Sequence, residues 1–228
     1  MTTRKDFLVA GTIAAALAGG ATAGATAAPA NPKLDFDLDA FNALLETSQS
    51  HKNLFAACVI NGGEVFGAIR NTLNAYRDTG IDWNDVFPVA VLYHGVSIAL
   101  AFDDAAWNDY FIPFARHSPK SYAPRVQIES VRTTGGNPCL REQGGRNDTS
   151  IRSLIADAGT RFFVCNNAAH GFANAIAVKL KKSPDTVYAD LARHLVPNAM
   201  LVPAGVWAVH AIQEQRFTLL HTSLPSNA

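Results

Sequence analysis

Arg161–Gly171 reads RFFVCNNAAHG, and the fold follows from how this stretch is read. Phe162, Phe163 and Val164 form a short apolar run suited to a pleated, buried strand. Just before it, Ile151, Leu154, Ile155 and Ala158 recur at helical spacing, and Gly159 stands where a left-handed C-cap belongs. Just after it come Cys165, Asn166, Asn167, two alanines, His170 and Gly171, read as a loop. A thiol therefore closes a strand, with amides and an imidazole close behind. In a parallel α/β sheet, ligands and chemistry gather at that edge.

The neighbouring sequence repeats this alternation. Leu54–Ile60 is a continuous apolar run ending in Asn61-Gly62-Gly63, as expected of a strand buried on both faces and closed by a glycine turn. Glu64–Asp78 carries Phe66, Ile69, Leu73 and Tyr76 on one stripe, with Gly80 as the stop, and predicts a helix. Val86–Tyr93 predicts a second buried strand ending at His94-Gly95, and Ser97 is the expected cap of a helix running toward Trp107 and Tyr110. Residues 112–147 are rich in proline and glycine, and Val126–Val131 alternates like a short edge strand. Downstream, the pattern predicts helices over 172–180, after Ser183-Pro184-Asp185 and over 206–215, with strands at 200–202 and 217–221. A short amphipathic helix is expected within 35–46. Strands alternating with helices predict a three-layer α/β/α domain with a mainly parallel sheet.

The chain has 228 residues and equal numbers, 19 each, of basic and acidic side chains. That balance leaves no electrostatic footprint for nucleic acid or an anionic membrane. Three cysteines, Cys58, Cys139 and Cys165, are too few and too scattered for a disulfide scaffold or a four-ligand zinc site. Arg4 and Lys5, then the apolar Phe7–Ala18, then Ala25-Thr26-Ala27, have the three-part layout of a secretory leader. The apolar run is shorter than the ~20 residues of a membrane span, so no membrane association is expected once the leader is removed. TRKDFL resembles a twin-arginine export signal with Lys5 in place of the second arginine; the route, twin-arginine or general secretory, stays open. The expected organisation is a signal over 1–27, a tether and short helix over 28–50, one α/β domain over 51–222 and a frayed tail over 223–228. A periplasmic or otherwise exported location follows from the leader.

VCNNAAHG, HGVSIALAFDDAAW and MLVPAGVWAVHAIQEQRF together resemble the DsrE/DsrF-like sulfur-handling family, over roughly residues 51–222. The resemblance implies a DsrE-like α/β fold, a trimeric or hexameric homo-oligomer, and sulfane sulfur carried as a persulfide on Cys165. A small sulfur compound or a partner-protein thiol would be the other party. It implies no cofactor, and whether the chain turns over as a sulfurtransferase-like enzyme is left open. Relay members of the family work inside the cell, whereas this chain carries an export leader.

The residues themselves allow this chemistry and plainer uses. Four predicted strand ends, Asn61-Gly62, His94-Gly95, Cys165-Asn166-Asn167 and the turn at Gly205, are expected on one sheet edge. A thiolate is favoured beside an imidazole or a helix start, so His94 and His170 are candidate partners of Cys165. Either histidine is equally at home as a satisfied strand-end residue. Asn166 and Asn167 serve an anionic ligand or the turn backbone. Cys139 is a loop thiol or a resolving partner of Cys165, and Cys58, mid-run, reads as apolar filler. No close-spaced ligand pair points to a metal. The alternative function is a non-catalytic module whose strand-end pocket holds a small ligand or metal.

Overall fold

A computed structural model describes residues 34–222, which form an α/β unit around five strands. The expected leader, most of the tether and the tail lie outside the described residues. The strands are β1 (His51–Ala57), β2 (Val86–Leu92), β3 (Arg161–Cys165), β4 (Ala199–Val202) and β5 (Thr218–His221). They lie in the order β4-β3-β2-β1-β5, and every pairing is parallel.

Side chains alternate across the sheet and feed two cores. Phe55, Ala90, Leu92, Phe162 and Val164 point to one side. Leu54, Val89, Val91, Phe163 and Val202 point to the other. The first side is covered by α2 (Glu64–Asp78), a 3₁₀ segment (Gly95–Ala101), α3 (Asp104–Ala106), a π-helical stretch (Trp107–Phe111), α4 (Ile112–Arg116), α5 (Ala123–Ser130), α6 (Ile151–Ala158), α7 (Asn166–Leu180) and α8 (Pro184–Arg193). The second is covered by α1 (Leu38–Leu45) and α9 (Gly205–Glu214), through Phe41, Leu45, Ala208 and Ile212.

Topology explains this division. From β1 to β4 each crossover steps the same way across the sheet, so right-handed connections keep their helices on one face. The connection from β4 to β5 runs back across the whole sheet, and its helix α9 lies on the opposite face. The loops after the adjacent strands β3 and β4 therefore depart in opposite directions. Such a switch point opens a crevice at the carboxyl ends of the strands.

The three-layer architecture matches the expectation, and α2 spans the residues read for it. Four local readings are corrected. Residues 126–131 lie mostly in α5, not an edge strand: Pro124 stands in the first turn and Ile128 alone is buried, so six residues of alternation mimicked a strand. Ser97 caps no helix; its hydroxyl donates to the Ala57 and His94 carbonyls, and Asp103 caps α3 by accepting from the Ala106 amide. β1 starts three residues early, with His51, Lys52 and Asn53 at its entrance. No loop follows Cys165, because α7 starts at Asn166. Trp107 and Tyr110 are buried, and the Trp107 indole donates to the Ala99 carbonyl at 2.7 Å.

Candidate functional site

Cys165 pairs with Val202 at the switch point, the last level of the β3–β4 ladder. It is also the N-cap of α7. Its sulfur accepts a hydrogen bond from the Ala168 N–H at 3.4 Å, the role usually taken by a serine or aspartate oxygen. The sulfur thus sits at the N-terminal end of a fifteen-residue helix, where backbone N–H groups point outward. The first residue of α9 lies against the same spot: a Cβ on Gly205 would stand 3.0 Å from the Cys165 Cβ. Two helix starts thus converge beside one thiol.

Cys165 lines an open cleft of ≈ 490 Å³. His94, Gly95 and Asn167 line it, together with apolar walls from Tyr93, Tyr122 and Phe172. Cys165 is only 5% exposed, so it forms part of the cleft's floor. The strand-edge reading thus brings Cys165, His94, Gly95 and Asn167 to one cleft, with Gly205 packed behind it.

The remaining candidates are placed elsewhere. His170 is buried and does not line the cleft; its ring stacks on Tyr188 with centroids 3.6 Å apart. Burial lowers its pKa, and the Asp185 carboxylate opposes part of that shift. Asn166 is also buried, and its Oδ1 accepts a hydrogen bond from the Tyr188 hydroxyl. Helical geometry explains both: α7 begins at once, and residues 166 and 170, four apart, share its inner face. Asn61 and Gly62 have amides already engaged by α5, through Gln127 Oε1 and Ser130 Oγ.

Cys139 belongs with that first glycine turn. Its sulfur lies 3.2 Å from where a Gly63 Cβ would stand, and it shares a smaller cleft with Gly62 and Gly63. Burial pushes its thiol up to about 12. The cysteines form no disulfide, so the structure does not pair Cys139 with Cys165. No group of three or more histidine, cysteine, aspartate or glutamate side chains among the described residues is placed to hold a metal ion.

Tyr93 was not a candidate from sequence, yet it joins the parts of this edge. It lines the cleft, and its hydroxyl meets the His221 imidazole. Burial raises its pKa, and the neighbouring Cys58 raises it further, so the phenol stays a proton donor. Cys58 is half-buried just past the end of β1 rather than within the strand. The signal was an aromatic hydroxyl directly closing the run Val89–Tyr93. No protein-family model and no curated protein matches this chain.

Proposed function

We propose that this protein accepts sulfane sulfur as a persulfide on Cys165 and holds it for transfer to another thiol. One observation carries the reading: the Cys165 sulfur at the switch point caps a long helix and accepts its N–H, and the residue lines an open cleft. Reactive cysteines occupy such electropositive, partly accessible positions. Persulfide is a reversible cysteine state, so loading and release need no further residue to be consumed. His94, on the same cleft, is the titratable neighbour available to exchange a proton with an arriving or leaving thiol. The family resemblance points the same way. It carries with it a homo-oligomer and, through the leader, an exported location.

The test is persulfide-specific labelling after exposure to polysulfide, read by peptide mass spectrometry. Labelling is expected at Cys165 and absent in Cys165→Ser; undiminished labelling in that variant would end the proposal. A second reading, a binding module that holds sulfur or another small ligand without passing it on, draws on the slight exposure of Cys165. Transfer from loaded Cys165 to added glutathione separates the two.

A further inference from the structure

The lining of the Cys165 cleft bears on which sulfur donor it would accept. This inference rests on the reading of Cys165 as a sulfur acceptor. Its volume, ≈ 490 Å³, is that of a small-molecule site rather than of a diatomic or triatomic anion. Val96, Tyr122, Phe172 and Val206 make the walls, and His94 and Asn167 supply polar side chains at the rim. Among the described residues, no lysine or arginine lines it. An inorganic dianion would have to lose water against apolar surface with no cation to pair. Of the two helix starts beside the thiol, that of α7 already gives its Ala168 N–H to the Cys165 sulfur, and that of α9 enters the cleft beside the apolar Ala204 and Val206.

We infer that the cleft selects an organic hydropersulfide, R–S–SH, whose R group is apolar or aromatic and packs on these walls. The Cys165 thiolate attacks the outer sulfur of the donor. A bond forms between Sγ and that sulfur, and the donor's S–S bond breaks. R–S⁻ leaves and takes up the proton that Cys165 released. The sulfane sulfur keeps its oxidation state, so no oxidant or reductant is consumed.

Gly171 supplies the test. It lines the cleft from α7, and a Cβ placed there meets no atom within 4 Å. A Cβ there meets no wall, so Gly171→Phe and Gly171→Leu are the variants that add bulk at the cleft, while Gly171→Ala adds only that Cβ. Cys165 persulfide formation is followed by mass spectrometry with benzyl hydropersulfide and with thiosulfate. Burial of a phenyl group predicts loading faster by roughly tenfold or more with the benzyl donor. That advantage should vanish in Gly171→Phe and Gly171→Leu, with circular dichroism unchanged, and persist in Gly171→Ala. Equal rates for the two donors, or an advantage that survives both bulky variants, would overturn the donor class and leave the role of Cys165 standing. No loading from either donor would overturn both.

Discussion

Gly205 presses on Tyr93 so closely that a Cβ added to the glycine would lie 2.2 Å from the tyrosine Cβ and 2.5 Å from its Cα. The far contact is backbone, which cannot swing away as a flexible side-chain tip would. This approach sets the start of α9 against the ends of β2 and β3, and so holds the cleft's back wall. Gly205→Ala is expected to destabilise the domain by about 1–3 kcal/mol, the usual range for overpacking. The same variant should slow sulfur loading, because relief of the clash moves Tyr93 or Cys165. Chemical denaturation and labelling kinetics read the two effects. A wild-type midpoint would show that the turn before α9 yields freely.

Cys139 and Cys165 should differ sharply toward a thiol reagent. With burial holding the Cys139 thiol at about 12, only about one molecule in ten thousand carries its thiolate at pH 8. The sign is that of a neutral form favoured by folding, so its reactivity appears on unfolding. Iodoacetamide at pH 8 should modify Cys165 under native conditions, whereas Cys139 reacts in step with denaturation. Rapid native modification of Cys139 would remove the basis for setting it apart from the cleft chemistry.

Asn137 secures the irregular segment between α5 and α6. Fully buried, it donates to the Leu100 and Phe102 carbonyls at 2.9 and 2.7 Å and accepts from the Cys139 amide at 2.9 Å. Removing the amide strands two carbonyls and one N–H in the interior. Asn137→Ala should cost about 2–3 kcal/mol, since each buried polar group left unpaired is expensive. Urea denaturation checks this, and a loss under about 0.5 kcal/mol would mean that water replaces the side chain.

How far the sequence spoke depended on the length of each pattern. α2 was legible because fifteen residues carry a continuous stripe and Gly80 ends them with φ of 86°. Gly159 was legible at the end of α6 for the same conformational reason, with φ of 61°. α5 was not, since eight residues with one buried side chain give periodicity little to work on. At the site, the strand end and its thiol were readable, and Cys165 and His94 line one cleft at that edge. The immediate start of α7 was not, because asparagines favour turns and a cysteine is an unusual cap. That single difference turns Asn166 and His170 inward and leaves Asn167 at the cleft.

His170 then becomes a question of stability rather than catalysis. Its ring lies flat on Tyr188, with an interplanar angle of 13°, and its Nε2 is buried without a hydrogen-bond partner. Burial favours the neutral ring and lowers its pKa below the ordinary 6.5, despite Asp185. Below that ordinary value the unfolded chain binds a proton that the folded chain refuses. Stability is therefore fully present above about pH 6.5 and falls as the pH drops toward the folded-state value. His170→Gln removes the titrating group, so its stability should depend less on pH between pH 7.5 and 5.5 than that of the wild type. Sulfur loading at Cys165 should stay at the wild-type rate, because this ring does not line the cleft. Parallel stability profiles would contradict the buried neutral histidine, and a collapse of loading in a folded variant would return His170 to the chemistry.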